Sequence, residues 1–553
     1  MNQPTLGAFL FSCLSRAGIS NVFGVPGDYN FSILDELGRH PELSFIGCRN
    51  ELNAGYAADA FARLKGISAL LTTFGVGELS ACNAIAGSNS ESVPVVHIVG
   101  APPSMDQSAH KLMHHSLMDG NFDTFRKVYE SLTAYAAAIT LENASYEIPK
   151  ALHMAQTQKK PVYLTLPNDL ITKPIHAHAE SWPAPVTTAS SLAEAAAHAG
   201  RLLKGSSRTV LLTDVKVLRY GLENAVRLLA EKLHLPAASM VYGKGSFDET
   251  HPNYIGMYSA GCGEESVRRA VENADCVIAV GLVWADTNTA SFTAKLDFAK
   301  TIQINPDNVR IGEAMYAGIQ APDMMDALMQ LQIVQAAPVP AAAFPYDLPQ
   351  GQPDDDLAAA NYYPLFQQFI QEGDVVVVET GTLFDGMSQL KLPRNVTYVA
   401  QGGWQAIGYA TPAAFGACIA APDRRVLLFT GDGSIHLTAQ EISSMLEHQC
   451  KPILFILNNG LYVVENYLNV DAVNPGYNVI PKWDFSKLPE AFGGDAFTAT
   501  ARTVAELRDA MRQAAAECRS RLCMIELIPG NPMDAPPFLV KTRAILEAQK
   551  KNR

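Results

Sequence analysis

Short runs of β-branched and aliphatic residues, each closed by Gly, Pro, Asp or Asn, recur along this 553-residue chain and alternate with longer amphipathic stretches. Such runs lie at 69–73, 93–99, 161–166, 209–212, 276–280, 301–304, 374–378, 426–429, 452–457 and 522–527. They are apolar at consecutive rather than alternate positions, which predicts strands buried on both faces of parallel sheets. Between them, 192–203, 222–232 and 504–516 carry helical periodicity. The expected class is α/β, with mainly parallel sheets flanked by helices.

Two segments interrupt the alternation. Residues 176–191 hold Pro183 and Pro185 beside an Ala/Thr/Ser run, and 336–361 hold five prolines and the triplet Asp354–Asp356. Both read as linkers. They divide the chain into expected domains 1–180, 190–340 and 360–553, within the three or four that its length suggests. No short-period repeat is visible.

Forty-two Lys and Arg against 55 Asp and Glu leave a net charge of −13. A nucleic-acid binder would carry the opposite field. Apolar stretches such as 67–87 are interrupted by Thr72, Thr73, Glu78 and Asn83, which does not suit a bilayer core. The opening Met-Asn-Gln-Pro has no basic n-region, so no signal peptide is expected. The nine cysteines form no Cys-x-x-Cys pair, which predicts free thiols in a reducing cytoplasm. The methionines of 315–329 read as core.

The chemistry concentrates in the last block. The run 426–429 enters Thr430-Gly431-Asp432-Gly433-Ser434, and the run 452–457 ends in Asn458-Asn459. A Gly-Asp-Gly turn at a strand end sets a carboxylate and free N–H groups in the crevice at a sheet's carboxyl edge. Asn458-Asn459 arrive from the next strand end, so both can converge on one ion. Asp and Asn oxygens suit Mg2+ completed by phosphate and water, and the helix N-terminus suits a diphosphate.

The spacing Gly431-Asp432-Gly433, 24 residues, Asn458-Asn459 resembles the cofactor motif of thiamine diphosphate enzymes. Phe23–Asn30, Asn50–Ala54, Leu71–Glu78, His114-His115, Val241–Tyr258 and Asp534–Pro537 resemble the 2-oxo acid decarboxylases of that group (pyruvate, indolepyruvate, phenylpyruvate and branched-chain types). The resemblance covers essentially the whole chain. It implies pyrimidine-binding, middle and diphosphate-binding domains in that order, and a homodimer or homotetramer with active sites at the subunit interface.

It also implies site residues. Glu51 would hydrogen-bond N1′ of the aminopyrimidine, and Asp28, His114, His115 and Glu465 would form the acid/base set. Neighbouring side chains on a strand face opposite ways, so a loop or helix start is needed to aim both histidines inward. Asp432, Asn459 and the backbone carbonyl of Leu461 would hold Mg2+. Leu461 stands where the family commonly has Gly, which puts the loop geometry in doubt because Leu rarely adopts positive φ. Thr382, Gln405, Ile407, Gly433, Ser434, Tyr462 and Val464 would contact thiamine diphosphate. Gln405 and Ala406 depart from the family's usual Gly-Ser.

Thr287, Thr380, Phe384, Val464, Leu539 and Thr542 would line the substrate pocket, and Asp385 replaces an aromatic often found beside Phe384. Together these favour a branched-chain or aromatic 2-oxo acid as the small-molecule substrate. The alternatives are a pyruvate-preferring decarboxylase and a carboligating enzyme resembling acetolactate synthase. Neither nucleic acid nor membrane is an expected partner. The middle-domain stretch Asp214–Tyr220 lacks the Cys of substrate-activated relatives.

Overall fold

The computed structural model describes residues 3–177, 182–331, 333, 344–346, 351–471 and 476–551. Its strands form three sheets. The first runs Ser44–Gly47, Asn21–Gly24, Ser68–Thr73, Val95–Ala101, Val162–Pro167, Tyr135–Ala138 from edge to edge, all parallel. The third runs Thr397–Val399, Val375–Val378, Val426–Gly431, Ile453–Leu457, Leu522–Leu527, Ala496–Ala501, also all parallel. Numbered within each sheet, both follow the order 2-1-3-4-6-5. The middle sheet is parallel from Tyr254–Tyr258 through Ala237–Met240, Thr209–Thr213 and Cys276–Val280 to Thr301–Ile304, and ends in an antiparallel hairpin, Asn308–Ile311 and Ala314–Ala317.

Every expected run forms a strand, with ends shifted by up to two residues. The strands without a sequence signal are short, such as Tyr135–Ala138 and Thr397–Val399, or alternate Ala and Thr, as in Ala496–Ala501. The expected linkers lie partly outside the described residues. The helix Ala189–Lys204 begins inside the first and Ala359–Phe369 inside the second, because alanine-rich sequence favours helix over spacer. In the methionine-rich stretch Met324 and Met325 are fully buried, but Met315 is exposed on the hairpin. All nine cysteines are free.

The outer two sheets share one core. The helix Glu51–Lys65 packs on Ala410–Ala420, and Phe23, Phe61, Phe415 and Leu428 belong to the same buried cluster. The approach is close: a Cβ on Gly416 would lie 2.0 Å from the Ala57 carbonyl oxygen. A buried charge group adds to the join. Arg63 Nε donates to Asp59 at 2.6 Å and Arg63 Nη1 to the Ala400 carbonyl at 2.7 Å, while Tyr409 donates to Asp59 at 2.7 Å. Glu91 accepts the N–H groups of Gly403 and Trp404, and Arg219 of the middle sheet's domain donates to the Glu91 carbonyl. Such groups cost desolvation, but once built they tolerate few alternative dockings.

Candidate active site

A 2-1-3 strand order reverses direction between its first and third strands, and ligands of open α/β sheets bind outside the carboxyl ends at that point. In the third sheet the point falls between Val375–Val378 and Val426–Gly431. A cavity of about 100 Å³ lies there, lined by Thr380, Thr382, Ile407, Asp432, Gly433, Ser434, Asn459, Leu461, Tyr462, Val464 and Glu465 among others. The register Gly431↔Leu457 brings Asp432 and Asn459 off the same sheet edge.

Asp432 opens the helix Asp432–Thr438 and is almost fully buried. Its Oδ1 accepts the Gly433 N–H at 2.9 Å and its Oδ2 the Gly460 N–H at 2.6 Å, while burial pushes the carboxyl up to about 6. Gly460 takes the positive φ of this loop, 72°, and Leu461 keeps an ordinary backbone. The Gly-to-Leu departure is therefore absorbed one residue earlier than the sequence suggests. Asn459 Oδ1 accepts the Leu461 N–H at 3.1 Å. The Tyr462 ring lies 2.4 Å from where a Cβ on Gly433 would sit, so that position admits no side chain without movement.

The cavity fits an anionic, metal-linked group. Thr380 Oγ1 is buried without a hydrogen-bond partner, and nothing lies within 4 Å of a Cβ built on Gly431. The oxygens of Asp432 and Asn459 and the 461 carbonyl are hard donors of the kind Mg2+ takes. Gln405 is not among the lining residues. Its φ of 55° and its Nε2 bond to the Gly402 carbonyl at 2.9 Å shape the loop that presents Ile407.

Glu379 is not among the residues expected from the sequence, yet it underpins this cavity. Fully buried, its carboxyl accepts the N–H groups of Thr380 and Ala410, each at 3.1 Å, and also bonds Gly408 and Thr430. It thus links the three segments that carry Thr380, Ile407 and Asp432. Burial pushes it up to about 8. A Glu closing an apolar strand just before Thr-Gly was the available signal.

The first sheet assembles a second group at its equivalent switch point. Asp28 follows Asn21–Gly24, and Gly75 follows Ser68–Thr73. His114 Nε2 lies 2.6 Å from Asp28 Oδ2, and its Nδ1 pairs with the Tyr29 hydroxyl at 3.1 Å. His115 Nδ1 is 3.8 Å from Asp28 Oδ1, buried and without a partner. The two rings face one carboxylate because residues 114–115 form a turn, with His115 at φ 63°. Glu51 heads its helix, capped by Asn50, and its Oε1 lies 3.2 Å from where a Cβ on Gly77 would sit. Glycines at 75 and 77 leave space for His115 and Glu51. Glu78 shapes this turn, accepting the Gly75 N–H at 2.7 Å and the Tyr163 hydroxyl at 2.7 Å, and burial pushes it up to about 7.

Within one chain these two groups do not share a cavity, since residues 380–480 alone line the first. The expected substrate residues divide further. Val464 and Thr380 line the cavity. Phe384 packs with Phe538 and Cys262, and Thr542 Oγ1 lies 3.3 Å from Cys262 Sγ. Leu539 is buried. Thr287 is not among the lining residues, and its hydroxyl pairs with that of Tyr242.

Three family profiles match the chain: thiamine pyrophosphate enzyme, N-terminal TPP binding domain, at 4–123; central domain, at 196–331; and C-terminal TPP binding domain, at 380–526. Fold and site thus define a three-domain thiamine diphosphate enzyme. The alpha-keto-acid decarboxylase of Mycobacterium leprae is 36% identical over 559 residues, covering 99% of this chain and 96% of that protein. The pyruvate decarboxylase of Kluyveromyces lactis is 35% identical, covering 99% of each. A solved Rhodococcus jostii RHA1 thiamine diphosphate-dependent 4-hydroxybenzoylformate decarboxylase shares the fold at TM-score 0.79 and 20% identity, covering 96% of this chain and 100% of its own. The chain belongs to the thiamine diphosphate-dependent 2-oxo acid decarboxylase family, and it is an enzyme of that class.

Proposed function

We propose that this enzyme converts a branched-chain or aromatic 2-oxo acid to an aldehyde and CO2 without net oxidation, using thiamine diphosphate held through Mg2+. The observation that carries the reading is the cluster of Asp28, His114 and His115, whose ligating atoms lie within 4.8 Å of one another, on the same sheet edge as Glu51.

When bound, thiamine diphosphate supplies the nucleophilic carbon and the electron sink for loss of CO2. Asp432, Asn459 and the Leu461 carbonyl would hold the metal, and Thr382, Gly433, Ser434 and Tyr462 would enclose the diphosphate. Ile407, with the 405 carbonyl, would seat the aminopyrimidine, and Glu51 would hydrogen-bond it. Asp28 fixes the His114 ring through Nε2, leaving the partnerless His115 Nδ1 to accept or deliver a proton beside the substrate. Glu465, exposed at the rim of the other cavity, would complete the set. Proton transfer by such groups contributes ~100- to 10,000-fold.

The two halves meet, in this reading, when a second copy docks its first domain (1–180) on the third (360–553) of its partner, in a homodimer or a dimer of dimers. Exposed apolar side chains around both groups support it: Val76 and Leu79 on one, Ile407 and Leu437 on the other. The middle domain (190–340) would carry no proton-transfer residue. No helix among the described residues is long and apolar enough to cross a membrane; the free, scattered cysteines support the reading of a cytoplasmic enzyme.

A panel of 2-oxo acids assayed with thiamine diphosphate and Mg2+ tests the function. Aldehyde and CO2 in equal amounts are expected; acetohydroxy acid as main product would replace this reading with a carboligase. Glu51→Gln should lose turnover by ~100-fold or more while still binding cofactor, and near-wild-type turnover would refute the role given to Glu51.

A further inference from the structure

Proton transfer is one use of the Asp28, His114 and His115 cluster, and its donor set suits a second. Among the described residues it is the sole group of three or more His, Cys, Asp or Glu side chains whose ligating atoms converge, all within 4.8 Å of one another. Two imidazoles and a carboxylate are the donors of sites that hold Zn2+ through three protein ligands and leave one position open. Donors ~2.0–2.2 Å from a tetrahedral Zn2+ stand about 3.3 Å apart. Here His114 Nε2 lies 2.6 Å from Asp28 Oδ2, and His115 Nδ1 lies 3.8 Å from Asp28 Oδ1. One pair must open and the other close, each by less than ~1 Å. Side-chain rotation supplies that, because the three side chains are between 31% and 55% exposed. The same exposure admits a hydrated ion.

The cluster also presents its nitrogens as a metal needs them. Tyr29 holds the His114 ring from its far side, with its hydroxyl 3.1 Å from Nδ1 and its own ring stacked on the imidazole at 4.8 Å. That leaves Nε2 turned toward Asp28. An outer partner of this kind fixes the ring of a metal-bound histidine. His115 Nδ1 has no hydrogen-bond partner to give up. At 2.6 Å a bare Nε2 lone pair and a carboxylate oxygen would repel, so one proton lies between them. A dication entering the cluster takes the place of that proton, which leaves to solvent.

We propose that Asp28, His114 and His115 form a binding site for a transition-metal dication, represented by Zn2+, and that its occupation stops turnover by tying up the groups that would carry protons. Binding follows from the geometry of the cluster, whereas the effect on turnover rests on the decarboxylase reading. Mg2+ does not compete at this place, because it takes an octahedron of oxygens while imidazole suits Zn2+. The oxygen donors of Asp432 and Asn459 have the opposite preference.

The test dialyses holoenzyme, kept in excess Mg2+ and thiamine diphosphate, against Zn2+. Bound zinc is measured by elemental mass spectrometry, and CO2 release is followed on the same samples. The wild type should bind one Zn2+ per chain at this cluster. Losing an outer partner of a metal ligand already costs ~10- to 100-fold in affinity, so Asp28→Asn and His115→Ala should each weaken binding by ~100-fold or more, and Tyr29→Phe by ~10-fold. Asp432→Ala should leave it unchanged. Wild-type CO2 release should fall along the Zn2+ binding curve, resist added Mg2+ and recover with a zinc-selective chelator. Zinc that persists in both Asp28→Asn and His115→Ala, as thiols would hold it, or that is lost in Asp432→Ala, would overturn the proposal. Full occupancy with undiminished CO2 release would overturn the block on turnover. If no 2-oxo acid yields CO2, the decarboxylase reading fails, and the zinc measurements still decide the site.

Discussion

Replacing Gly75 by Ala should disable the enzyme from a position that carries no functional group. Gly75 joins the strand Ser68–Thr73 to the helix Val76–Ser90 at φ 63° and ψ −89°, a tight turn that is strained for any L-residue. That backbone alone costs a side-chain-bearing residue ~1–3 kcal/mol. The larger effect is steric. An added Cβ would lie 1.8 Å from the His115 carbonyl oxygen and 2.9 Å from its carbon. Restoring ordinary contact requires the 115 backbone to retreat by about 1.5 Å. His115 and His114 would move with it, which alters their placement on Asp28. A displacement of about 1 Å in catalytic groups costs ~100-fold in rate, or ~2.7 kcal/mol of barrier. Cofactor retention should survive, because no residue of this turn lines the cavity around Asp432 and Asn459. The assay is kcat/KM for CO2 release beside cofactor binding followed by fluorescence. Gly18→Ala is the control: φ there is 89° with nothing within 4 Å of the added carbon, so it should lower Tm with activity unchanged. Gly75→Ala activity within threefold of wild type would refute the steric argument.

Glu379 holds its proton in the folded chain up to about 8, whereas an ordinary Glu loses it near 4.5. Its contribution is therefore fully present below about 4.5 and lost as pH rises toward 8, by up to ~1.4 kcal/mol per pH unit. Glu379→Gln should flatten the decline of Tm between pH 5 and 8, and parallel wild-type and variant profiles would contradict this. Asp432→Ala should raise the Mg2+ concentration for half-maximal activity by ~100-fold and leave a protein that a chelator strips of thiamine diphosphate. An unchanged Mg2+ titration would remove Asp432 from the metal site.

Much of the site was legible because its residues cluster locally at strand ends. Asp432 and Asn459 each follow an apolar run that could only be a buried strand, and those two runs are neighbours in the third sheet. His114 and His115 were legible as a pair but not as a geometry: the turn that aims both at Asp28 depends on space left by Gly75, forty residues earlier. Glu379 showed in the sequence only as a Glu closing an apolar run, because a carboxyl that bonds backbone and hydroxyl groups has no charged sequence partner to reveal its role. The departure at Leu461 looked more serious than it is, since Gly460 beside it supplies the left-handed residue. Short edge strands such as Tyr135–Ala138 lacked a signal, as alanine carries little β preference.

By itself the sequence determined the α/β class, the separation of chemistry into an early and a late cluster, and the residue types at each. These follow from local physics: apolar runs too long to alternate, and Gly, Asp and Asn at turns. The shared 2-1-3-4-6-5 order of the outer sheets was decided only in three dimensions, as was the switch point that gathers Asp432 with Thr380, and Asp28 with Gly75. Strand neighbours are chosen by packing across the whole domain, which no local window records.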